Sequence, residues 1–398
     1  MKLNKILLLS LIMLGSTLLV HCQNQSIKFI ENDLDAAKEM ALESKKLIFV
    51  DAYATWCGPC KWMSANIFTN DLVADYYNEN FVNLKLNMEK GDGKDFAKKY
   101  SIRAYPTLVF IDGEGNVHHR KVGALREPES FVALGETAQS EIKNLKAMHD
   151  KYQKGELSKE FITEYLKVLK SAGEKRSGVL AAFYAKIEPA QFQEKDVFEM
   201  IVEFDNSVNS KAIEYILENR ALFNEKYEEE TKELLYDNHL EWVMDKASGK
   251  KEDRKEMELR MIKVKKRNIP EWQKIVLIAD LSELIKEKRM DEYVEIAVAD
   301  VGEYFNDDPG ALHGFARTVL KNTKEPANLE EALKWTERAI EQENHPTVLD
   351  TKADILFELD RKQEAIAAEQ EAIELTKEKG MSKARLELYE KKLEKFKK

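Results

Sequence analysis

The chain has 398 residues, which is too long for one ordinary hydrophobic core and indicates two or more domains. Its net charge of -10, from 62 basic and 72 acidic residues, disfavours a nucleic-acid partner. A hydrophobic content of 43% excludes wholesale disorder, and the presence of only three cysteines excludes a disulfide-dense scaffold.

The N-terminus has the pattern of an export signal. Lys2 and Lys5 precede an apolar run at residues 6–20, which is shorter than the roughly 18 to 20 apolar residues of a membrane-spanning helix. We therefore expect residues 1–22 to be a signal peptide and the mature protein to be exported to the periplasm. An uncleaved anchor at the membrane surface is the alternative.

Cys22 is a candidate lipidation site. Residues 19–22 resemble a bacterial lipoprotein signal, except that His21 occupies a position where that signal has a small residue. Acylation of Cys22 would anchor the mature protein to a membrane. The alternative is that Cys22 merely lies near an ordinary cleavage point.

Residues 26–140 alternate between helical and strand patterns. The predicted elements are a helix at 33–44, strands at 47–50 and 81–88, a short helix at 95–100, strands at 107–111 and 117–122, and a helix after Pro128. Residues 112–116 contain two glycines and predict a tight turn between the last two strands. This order predicts an α/β sandwich that forms one domain.

Residues 141–398 have a different pattern, in which helical periodicity dominates and prolines are few. Residues 331–340 recur in pattern at 364–373, with alanines seven positions apart in both segments. This spacing resembles the tetratricopeptide repeat, whose period is about 34 residues, and the alternative is a generic stack of helical hairpins. Both interpretations predict an all-α domain at 141–398, which we expect to bind a protein partner or substrate.

The most specific motif is Cys57-Gly58-Pro59-Cys60, at a predicted junction between a strand and a helix. Two cysteines separated by two residues can form and reopen a disulfide. A helix N-terminus stabilises the Cys57 thiolate, which is the attacking species in thiol–disulfide exchange. Cys60 lies one turn further into the helix, so we expect it to be shielded from solvent and to resolve the mixed disulfide.

Half of a zinc site is the other interpretation of this motif, and it needs two further ligands. Cys22 is the only other cysteine, and the adjacent His118 and His119 point to opposite faces of a predicted strand. We therefore expect no metal, and no cofactor besides the redox-active disulfide itself.

The surroundings of this motif resemble the thioredoxin superfamily over about 110 residues. Asp51 stands six positions before the first cysteine, and residues 100–108 are similar to the segment that ends in the family's cis-proline, here Pro106. Two further stretches, which contain Lys85 and Gly123, match the family in the correct order. The resemblance implies a thioredoxin-like domain at residues 26–140.

The resemblance also implies roles for individual residues. Asp51 would relay a proton to or from Cys60, Lys85 would support Asp51, and Pro106 in the cis form would expose the backbone next to it. The client-binding residues that it implies are Trp56, Gly58, Pro59, Tyr105 and Gly123. The alternatives are a core acid for Asp51, a surface lysine for Lys85, an ordinary trans turn proline for Pro106, a turn glycine for Gly123 and simple packing for Trp56.

These observations together predict an exported thiol–disulfide oxidoreductase that acts on client proteins and is recharged by a membrane electron donor. The Gly-Pro dipeptide between the cysteines implies a reductase by resemblance, whereas Tyr105 before the proline is unusual and leaves an oxidant or isomerase open. The competing hypothesis is a helical-repeat scaffold protein, in which the thioredoxin-like domain is mainly structural.

Overall fold

The structure, a computed structural model, describes residues 26–398. The predicted signal peptide and Cys22 lie outside the described residues. The described chain divides into two compact units: the first contains the residues up to Gln191 together with Glu199–Asp205, and the second contains Phe192–Phe198 together with Asn206–Lys398. The domain boundary expected between residues 140 and 141 lies between two helices of the first unit, and it stays a prediction.

The first unit is built on a five-stranded mixed sheet in the order β1-β3-β2-β4-β5. The three strands β1, β3 and β2 are parallel, whereas β4 runs antiparallel to β2 and β5 antiparallel to β4. The strands are β1 (Phe29–Glu31), β2 (Leu47–Tyr53), β3 (Phe81–Asn87), β4 (Thr107–Ile111) and β5 (Val117–Val122).

Helices cover both faces of this sheet because successive strand residues point to opposite sides. In β2, Phe49 belongs to an aromatic-rich cluster with residues of three helices, whereas Ile48 and Val50 belong to a second cluster on the other face. The helices of this unit are α1 (Leu34–Ser44), α2 (Gly58–Asn66), α3 (Asp71–Asn80), α4 (Asp92–Lys99), α5 (Pro128–Gln139), α6 (Leu145–Gln153), α7 (Lys159–Ala172) and α8 (Ser177–Tyr184). The predicted α/β architecture is confirmed, and the sequence patterns did not anticipate β1 or α3.

Two helices beyond residue 140 pack against the edge strand β5. The backbone N–H of Leu145, in the first turn of α6, donates to Nδ1 of the buried His119 over 3.3 Å. Gly173 ends α7 with φ +68°, and a Cβ built there would lie 2.9 Å from a Val122 methyl group. These helices therefore cover an edge that an isolated sheet would expose.

The second unit is all-helical, as predicted for this part of the chain. Its helices, together with α9 (Lys195–Phe204), which contains residues of both units, are α10 (Lys211–Glu218), α11 (Arg220–Met244), α12 (Lys251–Arg267), α13 (Trp272–Glu287), α14 (Met290–Tyr304), α15 (Pro309–Asn322), α16 (Pro326–Gln342), α17 (Pro346–Glu358), α18 (Lys362–Glu378) and α19 (Lys383–Lys397). The recurring alanines Ala332, Ala339, Ala365 and Ala372 are fully buried. Small buried residues let neighbouring helices approach closely, while the tetratricopeptide assignment itself stays a prediction.

Candidate active site

Cys57 and Cys60 form a disulfide at the start of α2, directly after the sheet strand β2. Cys57 is the N-cap of the helix, and its Sγ accepts a hydrogen bond from the Cys60 backbone N–H at 3.1 Å. The two Cα atoms are 5.3 Å apart, which is within the normal range for a disulfide. In the dithiol form, the Cys60 backbone N–H and the helix dipole stabilise a thiolate on Cys57.

Solvent exposure does not distinguish the two cysteines. Cys60 is 3% exposed, as expected of the inner cysteine, and Cys57 is 2% exposed, so both cysteines are buried. The reason is local packing, because Ala54 and the rings of Tyr53 and Tyr105 pack against the disulfide. Both cysteines are nearly closed to solvent, and the position of Cys57 at the helix N-terminus distinguishes it as the nucleophile.

Asp51 is fully buried in β2, two residues before the end of that strand. Burial raises the pKa of its carboxyl group to about 6, although the Lys85 charge opposes this shift. Lys85 lies opposite Asp51 in the register of β2 and β3, with its Nζ 3.7 Å from Asp51 Oδ2. Neither carboxylate oxygen has a hydrogen-bond partner, so a proton can reside there near neutral pH.

Tyr105, which packs against the disulfide, is followed in the chain by Pro106, another residue expected at the site. The Tyr105–Pro106 peptide bond is cis, and the Gly123 backbone N–H donates to the Pro106 carbonyl over 2.9 Å. Gly123 has φ +91° with no atom within 4 Å of a Cβ built there, so the backbone conformation rather than crowding favours glycine. Tyr105 meets the Trp56 ring edge to face, with the ring centroids 5.8 Å apart.

Gly58 and Pro59 are both exposed on the first turn of α2, so they lie on the outer surface of the site. Trp56 next to them is 69% exposed, which agrees with a surface ring beside the disulfide rather than a core residue. The three residues together form an exposed rim beside the disulfide.

Two polar side chains at the site were missed by the sequence reasoning. Glu89 accepts hydrogen bonds from the backbone N–H and the hydroxyl of Thr55 and from Trp56 Nε1, and these bonds lower the pKa of Glu89. Ser64 accepts a hydrogen bond from Lys85 Nζ at 2.6 Å. Glu89 follows the carboxyl end of a parallel strand, and Ser64 lies one helical turn after Cys60. These two positions in the sequence could have indicated that both side chains lie near the disulfide.

The redox group of the site is the disulfide, and both cysteines of the motif are bonded to each other rather than available to a metal. In the part of the chain from residue 26 onward, no group of three or more His, Cys, Asp or Glu side chains has a geometry that could hold a metal ion.

Comparisons with known proteins identify the same part of the chain. Residues 29–113 match a family model described as thioredoxin-like. Thioredoxin-T of Drosophila melanogaster is 32% identical over 127 residues, which are 30% of this chain and 74% of that protein. A thioredoxin of Pseudomonas aeruginosa is 37% identical over 106 residues, which are 26% of this chain and 93% of that one.

Among the solved structures that are similar to this chain is the solution structure of a candidate disulphide-isomerase from Bacteroides thetaiotaomicron. It is 48% identical, with a TM-score of 0.27, and the match covers 30% of this chain and 99% of that one. The matches to thioredoxins span most of those proteins, and the matched residues here hold a disulfide at the N-terminus of α2. Through its N-terminal domain the chain belongs to the thioredoxin family, and it is a thiol–disulfide oxidoreductase.

Proposed function

We propose that this protein is an exported thiol–disulfide reductase that transfers electrons from Cys57 and Cys60 to disulfides of client proteins, while its helical unit binds a protein partner or client. The observation that carries the proposal is the Cys57–Cys60 disulfide at the N-terminus of α2, beside the buried carboxyl group of Asp51. The Gly-Pro dipeptide supports the direction, since it is the dipeptide of the reducing thioredoxin motif.

The reaction begins from the dithiol form. The Cys57 thiolate attacks one sulfur of a client disulfide, a mixed disulfide forms, and the other client sulfur leaves as a thiolate. The Cys60 thiol then loses its proton and attacks Cys57 Sγ, so that the Cys57–Cys60 bond forms and the second client sulfur leaves. Two electrons pass from the two cysteines to the client, whose thiolates take up protons from solvent.

Asp51 takes the Cys60 proton in this scheme. Its carboxyl group is buried and has a pKa of about 6, so that above this pH it is ionised and can accept a proton within the protein interior. The family resemblance supports a client strand beside the Tyr105 backbone, with Gly123 and Trp56 in contact with it.

Insulin reduction tests the catalytic proposal. Cys57→Ser is expected to abolish the reaction and Cys60→Ser to accumulate mixed disulfides with clients, because each variant lacks one of the two bond-making sulfurs. Cys22→Ser is the matched control, and it should retain full activity. Full insulin reduction by Cys57→Ser, or no trapped client with Cys60→Ser, would contradict the proposal.

Export and lipid anchoring are proposed from the N-terminal pattern of Lys2, Lys5 and the apolar run that follows. Within residues 26–398 no helix is long and apolar enough to cross a membrane. Fractionation of cells that make the wild-type chain is expected to place it outside the cytoplasm, and Cys22→Ser should release it from the membrane fraction. An intact N-terminus on cytoplasmic protein would contradict export.

A reductase outside the cytoplasm needs a supply of electrons, because each turnover leaves the Cys57–Cys60 pair oxidised. We therefore include a membrane-bound thiol donor as a partner of this site. In this exchange the donor passes through a mixed disulfide with Cys57, which Cys60→Ser should retain because the resolving thiol is absent. Absence of a membrane protein from the trapped complexes of Cys60→Ser would contradict this part of the proposal.

The partner site proposed for the second unit is a groove of about 720 Å³ between α15, α17 and α19. Arg317, Lys321 and Arg385 line this groove, and among the residues described none of the three has an ion-pair partner. Unpaired cations in a chain of net charge -10 favour an acidic peptide segment as the occupant. The exposed Leu388 beside them offers an apolar contact.

A fluorescent peptide rich in Asp and Glu tests this groove in an anisotropy titration with the full chain. The double variant Arg317→Glu, Arg385→Glu is expected to lose binding, whereas reversal at Lys383, which is exposed outside the groove, should not. Equal affinity of all three proteins would refute the assignment. A Cys57→Ala, Cys60→Ala variant tests the competing scaffold hypothesis. If this variant keeps both partner binding and the cellular function, the result supports a scaffold and contradicts the reductase proposal.

A further inference from the structure

The Lys85 ammonium group is enclosed by aromatic rings on the inner side of the active site. Its Nζ lies 5.6 Å from the ring centroid of Phe29, 5.3 Å from that of Tyr53 and 5.4 Å from that of Phe68. The side chain is only 17% exposed. The ring faces attract the cation and confine it, so the remaining polar contacts decide where within this enclosure the ammonium group lies.

Two polar groups compete for the ammonium group. The Ser64 hydroxyl oxygen accepts its hydrogen bond at 2.6 Å, whereas Asp51 Oδ2 is 3.7 Å away, which is longer than a hydrogen bond. Both Asp51 oxygens lack a hydrogen-bond partner although the carboxyl group is fully buried. The Ser64 hydroxyl group therefore holds the Lys85 ammonium group away from Asp51, whose carboxyl group has no hydrogen-bond partner.

We propose that Ser64 is a positioning residue, which holds the Lys85 ammonium group away from Asp51 and thereby controls how readily Asp51 takes up a proton. Ser64 itself touches no reacting atom. This inference rests on the proposed function, in which Asp51 exchanges a proton with Cys60. Besides Lys85, the ionisable groups that act on Asp51 are Glu31 of β1 and Tyr53 of its own strand.

Removal of the hydroxyl group is expected to bring the cation to Asp51. The strand register keeps Lys85 opposite Asp51, the three rings confine its side chain, and the carboxylate offers an acceptor 3.7 Å from Nζ. A move from 3.7 Å to ~2.8 Å strengthens the attraction enough, at an effective dielectric constant of about 20, to lower the pKa of Asp51 by about one unit.

The test is a carboxyl ¹³C NMR titration of the full-length oxidised protein labelled at aspartate, with Asp51→Asn to assign the resonance. Ser64→Ala is expected to lower the pKa of Asp51 by about one unit, and Ser64→Thr, which keeps the hydroxyl group, should leave it near the wild-type value. An unchanged or raised pKa in Ser64→Ala would overturn the inference.

A second comparison separates positioning from a merely structural role. In a Lys85→Met background, Ser64→Ala should no longer change the pKa of Asp51, because there is no cation left to move. A persistent effect would overturn the inference. If the pKa moves as expected but the pH profile of insulin reduction does not follow it, positioning by Ser64 stands and the proton role of Asp51 in the proposed function falls.

Discussion

Replacement of Asp51 by asparagine should remove a pH-dependent destabilisation of the N-terminal domain. Burial raises the pKa of Asp51 from 3.8 to about 6. Because the folded-state pKa is the higher one, the stabilising contribution of this group is complete below pH 3.8 and is lost as the pH rises through 6. The difference amounts to roughly 3 kcal/mol once the group is fully ionised.

The pH dependence of the difference between variants is the informative quantity, since a buried asparagine adds a cost of its own that does not vary with pH. About half of the roughly 3 kcal/mol of stabilisation is lost between pH 5 and pH 8, which corresponds to a roughly tenfold change in the folding equilibrium constant. From pH 5 to pH 8, the folding equilibrium constant of Asp51→Asn should therefore rise about tenfold relative to that of the wild type.

Hydrogen exchange of the β2 and β3 amides in the full-length oxidised protein measures this quantity, with both variants compared at the same pH. Asp112→Asn is the control: partial burial acts to raise the pKa of Asp112, but hydrogen bonds with Asn116 outweigh it and leave the pKa lowered. Asp112 is therefore ionised in both the folded and the unfolded state from pH 5 to pH 8, so the ratio of protection between Asp112→Asn and wild type should stay constant over this range. A ratio of protection between Asp51→Asn and wild type that stays constant from pH 5 to pH 8 would refute the reasoning.

Three further outcomes are expected. Burial lowers the pKa of His119 from 6.5 to about 4. The free energy of unfolding of the N-terminal domain should therefore fall by up to about 3 kcal/mol as the pH falls from 6.5 through 4, and an acid titration of His119→Gln should show a smaller decrease. Gly173→Ala should destabilise the packing of α7 on β5 by roughly 1–2 kcal/mol, because Gly173 has φ +68° and the new Cβ would lie 2.9 Å from a Val122 methyl group. Hydrogen exchange of the β5 amides measures this loss of stability. Burial raises the pKa of Glu369 to about 8, so Glu369→Gln should raise the melting temperature of the helical unit at pH 9 and much less at pH 6, and an equal gain at both values would contradict this.

The positions of the strands and of the disulfide follow from local sequence. The apolar run at residues 47–50 predicts a strand buried on both faces, and Cys57 lies at the junction where that strand's pattern changes to a helical one. These predictions depend on periodicity within a few residues, which is why they are confirmed. The strand Phe29–Glu31 is too short to show such a period, and it forms because β3 supplies its hydrogen-bond partners.

The electrostatics of the site depend on residues that are far apart in the chain. Glu89 reaches Trp56 across 33 residues, and Lys85 reaches Ser64 across 21. No local pattern contains such distances, because they result from the register of parallel strands and from the packing of α2 on the sheet. The burial of Cys57 has the same origin, since the Tyr105 ring comes from the segment before β4.

The sequence by itself therefore determined the kind of chemistry, because a pair of cysteines at a helix start needs only neighbouring residues to be recognised. The tertiary structure alone decided how accessible that pair is and how strongly Asp51 holds its proton. Both properties arise from desolvation and from charges at distances of a few ångströms, and only the folded chain brings those groups together.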